Sequence, residues 1–242
     1  MSGERPAFYA LPSGGWRDYW TLLHPPYTLW HLSYVAIGAS LAPTLNGGYL
    51  AYSLLGFFGA VGLAAHALDE LHGRPLRTRI PSAVLVGIAV IGLSGAIVLG
   101  VLGAVKVSEW MWAFIAAGAF LALAYNLEVF GGAFHTDRWF ALAWGGFPAL
   151  TGYFAQTGRV SVAAVVAAGA CTALSAAQRT LSTPVRRLRR TDAQVDGSVR
   201  WNDGDVEPID AAFLRRTPEG GLRWLSMAVP LLATALVIAR LR

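Results

Sequence analysis

The sequence predicts an all-α protein, namely a polytopic membrane helix bundle of about seven transmembrane helices. Hydrophobic residues make up 55% of the chain and charged residues 14%, and the mean hydropathy is +0.49. These values are typical of a membrane protein rather than of a soluble domain. A transmembrane β-barrel is excluded because none of the apolar segments alternates apolar and polar residues.

Seven apolar segments approach or exceed the roughly 20 residues that a helix needs to cross a bilayer. They are residues 27–45, 48–70, 82–105, 108–130, 138–157, 160–179 and 224–239. We expect residues 1–26 to form a cytoplasmic segment without a signal peptide, and residues 27–182 to form a six-helix transmembrane core. Residues 183–221, which are polar, are predicted to be a cytoplasmic loop that forms a lid or hairpin, and residues 222–242 the last transmembrane helix and tail.

Small residues within these segments predict close helix packing. Glycines recur in the second and third segments at Gly56, Gly59, Gly62, Gly92, Gly95, Gly100 and Gly103. Without side chains, glycines let the backbones of two membrane helices approach each other. Pro148 interrupts the fifth segment, and we expect a neighbouring group to bond the carbonyl that the proline leaves free.

The basic residues predict the orientation in the membrane. Fifteen of the nineteen Lys and Arg residues lie in the amino-terminal segment and in the loops after the second, fourth and sixth segments. Positive charge is retained on the cytoplasmic side, so the amino terminus is predicted to be cytoplasmic. The arginines adjoin membrane segments without an aromatic stacking module, which argues against a nucleic-acid partner.

Ionisable residues cluster at the cytoplasmic end of the second segment, in "GLAAHALDELHGRPLRTRIP". His66, Asp69 and Glu70 have the spacing of one helix face. Carboxylates suit Mg²⁺ and an imidazole also suits other divalent metals, so these three are the predicted catalytic and metal-binding residues. Arginine forks match phosphate oxygens, and the following loop carries three candidates for substrate binding, Arg74, Arg77 and Arg79.

The fourth and sixth segments are predicted to end on the same side of the membrane, and both ends are polar. They contribute five further candidates for substrate binding, which are Tyr125, Asn126, Glu128, Gln178 and Arg179. Ionisable groups inside a membrane are costly and usually functional, which favours a shared site. The alternative is a set of interior salt bridges, for example between Arg179 and Asp69 or Glu128. The cluster "VRRLRR" at 185–190 is either a surface anchor on anionic lipids or a phosphate site.

The chain resembles the UbiA superfamily of intramembrane prenyltransferases over residues 20–190. The residues that carry the resemblance are "LHPPYTLWHLSYVAIGASLAP", "AAHALDELHGRPLRTRIP", "AYNLEVFGGAFHTDRWFALAWGGFPALTGYFAQTG" and "QRTLSTPVRRL". The resemblance implies that Mg²⁺ held by aspartates binds an allylic diphosphate. It also implies that basic residues help the diphosphate leave and that the resulting carbocation alkylates an acceptor. Only Asp69 stands where the first aspartate motif has its acids.

Three functions therefore remain open on sequence grounds. The first is an enzyme that acts on a prenyl or other lipid-linked diphosphate, by UbiA-like transfer to an acceptor. The second is a membrane enzyme of another reaction type, with a metal or acid–base site built from His66, Asp69, Glu70 and Glu128. The third is a lipid-binding subunit without catalysis. Membrane lipids are expected partners in all three.

Overall fold

The computed structural model describes residues 5–191 and 194–241, which are mostly helical. The helices are α1 (Trp16–Leu23), α2 (Pro25–Ser40), α3 (Gly47–Phe57), α4 (His66–Leu71), α5 (Ser82–Lys106), α6 (Met111–Asn126), α7 (Val129–Gly132), α8 (Asp137–Ala141), α9 (Phe147–Thr157), α10 (Val162–Arg190) and α11 (Ala211–Arg240). Strands β1 (Ser198–Arg200) and β2 (Val206–Pro208) form an antiparallel hairpin. The structure therefore confirms a mostly helical bundle, with a short hairpin as its only strands in the described residues.

Four helices in the described part of the chain are long and apolar enough to cross a membrane. They are Gly47–Leu71, Ser82–Lys106, Val162–Arg190 and Ala211–Arg240. This finding supports an integral membrane protein. Helices α2 and α6 have 16 residues each and are about 24 Å long, which is shorter than a hydrocarbon core of roughly 30 Å. Seven complete spans and the cytoplasmic orientation stay predictions.

Two pairs of α-helices are each joined into one continuous helix by a π-helical segment. The segment Phe58–Ala65 joins α3 to α4, and the segment Leu142–Gly146 joins α8 to α9. A π turn inserts an extra residue into the helix, and such turns occur frequently at functional sites because they redirect side chains. Both π segments lie beside the candidate site described below.

Helix α2 lies at the centre of the bundle, packed against α9 and α11. Its Trp30 and Tyr34 side chains are completely buried, and Leu222 and Val229 of α11 belong to the same apolar cluster. The contact with α9 depends on two glycines. A Cβ atom at Gly38 would overlap the carbonyl of Ala149, and a Cβ atom at Gly152 would overlap the carbonyl of Val35.

The glycines of the second and third predicted segments do not all have the same role. A Cβ atom at Gly92 would lie 2.5 Å from the carbonyl oxygen of Gly59, and one at Gly59 would lie 2.7 Å from that of Gly92. A Cβ atom at Gly95, one turn further along α5, would meet nothing within 4 Å. The close approach of the two helices therefore depends on Gly59 and Gly92.

We expect Gly92→Ala to lower the free energy of unfolding by about 1–3 kcal/mol, because the two backbones must separate to admit the methyl group. Gly95→Ala is the matched control on the same helix, and it should leave stability unchanged or raise it because alanine favours a helix. Unfolding in detergent micelles, followed by circular dichroism, measures both variants. Equal destabilisation by the two changes would contradict the assigned contact.

The region between the sixth and last segments differs from the prediction. Helix α10 continues to Arg190 and α11 begins at Ala211, so the predicted loop 183–221 and the predicted start of the last segment need correction. The reason is tertiary packing. Arg189 Nε lies 2.5 Å from Glu219 Oε1, and both side chains are nearly buried. This salt bridge joins the polar end of α10 to the polar first part of α11. Because both stretches are polar, the sequence predicted a loop there. The hairpin β1–β2 lies in the remaining connection.

The fourth predicted segment also ends earlier than expected. Helix α6 stops at Asn126, and Glu128, Phe130 and Gly131 have left-handed backbone angles with φ of 49°, 57° and 66°. Left-handed residues cannot continue a right-handed helix. Residues 127–136, which include the short α7, therefore form a tight connection at the end of α6 and do not continue that helix.

Candidate functional site

A cavity of about 240 Å³ lies where the polar ends of α4, α6 and α10 meet. We call it the polar chamber. Six of the predicted site residues line it, and these are His66, Asp69, Tyr125, Asn126, Gln178 and Arg179. The structure thus brings together side chains from three helices that are separated by about 50 residues in the chain. This is the arrangement in which groups on different helices can act on one ligand.

Glu70 lies outside the polar chamber although it follows Asp69 directly. Its side chain is completely buried. Oε1 accepts hydrogen bonds from the backbone N–H of Thr78 at 2.9 Å and from the hydroxyl of Thr78 at 2.8 Å, while Oε2 accepts one from the N–H of Leu76 at 2.9 Å. Successive helix residues are about 100° apart, so Asp69 faces the polar chamber and Glu70 faces the loop. Glu70 therefore differs from the expectation that it shares a face with His66.

The three arginines of the following loop also lie outside the polar chamber. Arg74 donates to the carbonyl of Ile80 at 2.6 Å and to the hydroxyl of Ser82 at 2.8 Å. Arg77 donates to the carbonyl of Arg190 at 3.1 Å. The backbone N–H of Arg79 donates to Asp18 at 3.0 Å. These contacts hold the loop in place, and the predicted role of these arginines in substrate binding stays a prediction.

Glu128 is at the surface and does not line the polar chamber, although its neighbour His135 does. Its carboxylate lies 3.8 Å from His72 and 3.9 Å from His135, and its side chain is 42% exposed. Interactions between exposed charges are weak. Its predicted role in substrate binding stays a prediction.

Arg179 lies at the edge of the polar chamber. Its Nε lies 2.6 Å from Asp137 Oδ1, and its guanidinium lies over the ring of Phe140, 5.1 Å from the ring centroid. The salt bridge that sequence analysis considered, to Asp69 or Glu128, is therefore made to Asp137. This pair holds the guanidinium in a defined position against α8.

Two further arginines line the polar chamber, Arg186 and Arg190. They lie on the same face of α10 as Arg179, since residues four and seven apart share a helix face. Neither forms a salt bridge with a carboxylate of the described residues. Arg190 Nε is shielded from solvent and has no hydrogen-bond partner. Two of the three guanidinium groups in the chamber therefore have no salt-bridge partner among the described residues.

Histidines from four elements also line the polar chamber: His24, His31, His66 and His135. His31 Nδ1 lies 2.8 Å from the carbonyl of Trp144. Pro148, one turn after Trp144, has no N–H to bond that carbonyl. His31 is thus the predicted neighbouring group that bonds the carbonyl left free by Pro148. His135 Nδ1 similarly lies 2.9 Å from the carbonyl of Tyr125.

His24 and Tyr9 form a hydrogen-bonded pair at the amino-terminal side of the chamber. Tyr9 Oη lies 2.6 Å from His24 Nδ1, and the His24 ring stacks on His66 with centroids 4.3 Å apart. Burial lowers the pKa of His24 well below its ordinary value, with a further contribution from His66, and burial raises the pKa of Tyr9 well above its ordinary value. Both groups are therefore neutral at neutral pH. The Nε2 atom of His24 is shielded and has no hydrogen-bond partner.

An apolar cavity adjoins the polar chamber. Its volume is about 140 Å³, and α3, α5, α6 and α9 contribute its walls. Val61 and Trp144 line both cavities. Val61 lies in the first π segment and Trp144 in the second, so the two π turns form the boundary between a polar and an apolar compartment.

The residues of the polar chamber do not fit the magnesium cluster that the resemblance implies. Among the residues that the structure describes, Asp69 is the only carboxylate that lines it, while both oxygens of Glu70 accept hydrogen bonds from the loop. Across residues 5–191 and 194–241, no group of three or more His, Cys, Asp or Glu residues could hold a metal ion. The roles of His66 and Asp69 as metal ligands stay predictions.

No protein-family model, curated protein or solved structure matches this chain. The relation to the UbiA superfamily therefore remains a resemblance of short motifs.

Proposed function

We propose that the chain is an integral membrane enzyme that acts on a prenyl or other lipid-linked diphosphate. The observation that carries the proposal is the junction of the two cavities at Val61 and Trp144. A polar compartment with three arginines adjoins an apolar compartment within the bundle. This arrangement matches an amphiphile with an anionic phosphate headgroup and a hydrocarbon tail.

Arg179, Arg186 and Arg190 are the proposed headgroup ligands. A guanidinium group binds phosphate oxygens through parallel N–H donors, and these charge-assisted bonds are stronger than neutral ones. In UbiA-like transfer, the bond between the allylic carbon and the diphosphate oxygen breaks, and positive charge next to that oxygen stabilises the leaving group. The allylic carbon then bonds to the acceptor, which loses a proton.

Aromatic residues at the boundary are suited to the other half of the reaction. Tyr125 and Trp144 contact each other edge to face, with centroids 5.8 Å apart, and both line the polar chamber. The face of an aromatic ring attracts a cation when water is excluded. We propose that this pair shelters the allylic carbocation while the acceptor approaches.

Binding of farnesyl and geranylgeranyl diphosphate to the protein in nanodiscs tests the headgroup site. Arg186→Gln and Arg190→Gln should each weaken binding by about 10- to 100-fold, because a hydrogen bond between charged groups contributes about 1.5–3 kcal/mol. Arg187→Gln is the matched control, since Arg187 is exposed and does not line the polar chamber. Calorimetric titration measures all three. Equal weakening by the control variant, or no binding by the wild type, would contradict the proposal.

Turnover is a separate measurement. Native membranes that contain the protein should convert a radiolabelled prenyl diphosphate to a labelled lipid product. The double variant Arg186→Gln/Arg190→Gln should form none, because two of the three proposed headgroup ligands are lost. Binding without any labelled product would reduce the proposal to a lipid-binding protein.

The histidines favour a second candidate function, a membrane enzyme that transfers protons on another lipid substrate. The Nε2 atom of His24 has no partner although it is shielded from solvent, and a neutral imidazole beside a tyrosine is suited to general acid–base catalysis. This candidate predicts no binding of prenyl diphosphates. It also predicts an activity that is lost in His24→Gln and kept in Arg186→Gln.

A further inference from the structure

The electrostatic balance of the polar chamber differs from that of a site built around metal ions. Its lining residues include three guanidinium groups and one carboxylate, Asp69. Arg179 already pairs with Asp137 outside the lining. Arg186 and Arg190 form no salt bridge with a carboxylate in the described ranges, and both Arg179 and Arg190 repel Arg186. An excess of positive charge is therefore present before any ligand enters.

The geometry of α10 concentrates this charge. The helix places Arg179, Ser182, Arg186 and Arg190 along one face, and all four line the polar chamber. Arg190 Nε is a shielded donor without a hydrogen-bond partner. Leaving a charged donor unsatisfied in a shielded place is costly. An anion with several acceptor oxygens would satisfy this donor and reduce the repulsion among the arginines.

The described part of the chain does not supply the chamber with carboxylates for a cluster of magnesium ions. Both oxygens of Glu70 accept hydrogen bonds from the loop, which leaves Asp69 as the one carboxylate that the described residues contribute to the lining. A divalent ion bound there would add two positive charges beside Arg186 and Arg190. Like charges repel strongly in a site that is shielded from water.

We propose that the polar chamber binds the diphosphate headgroup through Arg186 and Arg190 without a divalent metal ion. The inference rests on the proposed function, because it concerns the same chamber and the same ligand. It departs from the metal-dependent grip that the sequence resemblance implies. In this proposal Asp69 is not a metal ligand. Its carboxylate interacts electrostatically with Arg186 and Arg190.

The experiment compares the affinity of geranylgeranyl diphosphate for the protein in nanodiscs with EDTA and with Mg²⁺. We expect the two dissociation constants to agree within about threefold, which is under 1 kcal/mol. Inorganic diphosphate should compete in EDTA as well, and the ratio of the two affinities shows whether the lipid or the free anion is preferred. A dissociation constant that weakens more than about tenfold in EDTA and recovers with Mg²⁺ would overturn the inference but leave the proposed function standing. No binding under either condition would overturn both.

The effect of Asp69→Asn on affinity also distinguishes binding by the arginines from binding through a metal ion. If arginines hold the headgroup, removal of the one carboxylate should leave the affinity in EDTA unchanged or raise it, because a repulsive charge is lost. If Asp69 holds a metal ion, the same change should weaken binding in Mg²⁺. A loss of affinity in Mg²⁺ with no loss in EDTA would overturn the inference.

Discussion

Replacement of Glu70 by glutamine is expected to lower the free energy of unfolding by about 3 kcal/mol. Its two carboxylate oxygens accept three hydrogen bonds, from Leu76 and from the backbone and hydroxyl of Thr78, and its side chain is completely buried. Each hydrogen bond to a charged group contributes about 1.5–3 kcal/mol. A glutamine amide would also place an N–H donor opposite a backbone N–H, and one of the two would be unsatisfied.

Asp69→Asn is the matched control because it removes the same charge one residue away. The Asp69 carboxylate accepts no hydrogen bond from any residue of the described ranges, so we expect the change to alter stability by less than about 1 kcal/mol. Chemical unfolding in mixed micelles, followed by circular dichroism, measures both variants. If Asp69→Asn destabilised the protein as much as Glu70→Gln, the separate roles assigned to the two acids would be wrong.

The Glu70 variant should also affect the polar chamber indirectly. The loop that Glu70 holds carries Arg77, which donates to the carbonyl of Arg190 at the end of α10. Detachment of the loop removes this bond, and the last turn of α10 then becomes less ordered. Weaker diphosphate binding by Glu70→Gln would therefore reflect lost positioning of Arg190, and it should accompany the loss of stability.

Glu219→Gln is expected to lower the free energy of unfolding by about 3 kcal/mol. The salt bridge between Arg189 Nε and Glu219 Oε1 is 2.5 Å long, and the side chains are 12% and 11% exposed. Loss of one partner from a largely buried ion pair typically costs 3–5 kcal/mol. The lower end applies here because both groups keep some contact with solvent.

Asp137→Asn is the control for this prediction. The pair formed by Arg179 and Asp137 has a similar length of 2.6 Å, but Asp137 is 67% exposed. Exposed pairs contribute about 0–1 kcal/mol, so this variant should unfold almost as the wild type does. Thermal unfolding of the two variants in detergent, measured in parallel, shows whether the buried pair contributes more to stability than the exposed pair. Equal effects would mean that burial does not set the strength of the α10–α11 connection.

Part of the candidate site could be predicted from the sequence, because helical periodicity shows which neighbouring residues share a helix face. The spacing of His66 and Asp69 puts both on one helix face, and the structure has both in the polar chamber. Periodicity did not separate Glu70 from them. The choice between facing the chamber and facing the loop depends on how α4 is rotated against α5, and neighbours far along the chain determine that rotation.

Other residues of the polar chamber were predicted only in part or missed. Arg186 and Arg190 belong to the cluster at 185–190, for which the sequence left a phosphate site open, but they were not placed beside Arg179 because the polar composition of 183–221 concealed the continuation of α10. Their spacing of seven and eleven residues from Arg179, which keeps all three on one helix face, was the available signal. Tyr9 and His24 had no such signal, because Tyr9 precedes α1 and His24 lies between α1 and α2, outside the apolar segments.

The sequence by itself determined that this chain is a helical membrane-type protein and that polar groups end several of its apolar segments. Those properties depend on the length and composition of continuous segments, which local hydrophobicity sets. The tertiary structure alone decided which polar groups meet. Helix rotation, the true ends of α10 and α11 and the two π turns at Val61 and Trp144 depend on contacts between segments distant in the chain. For that reason Asp69 faces a cavity with arginines while Glu70 holds a loop.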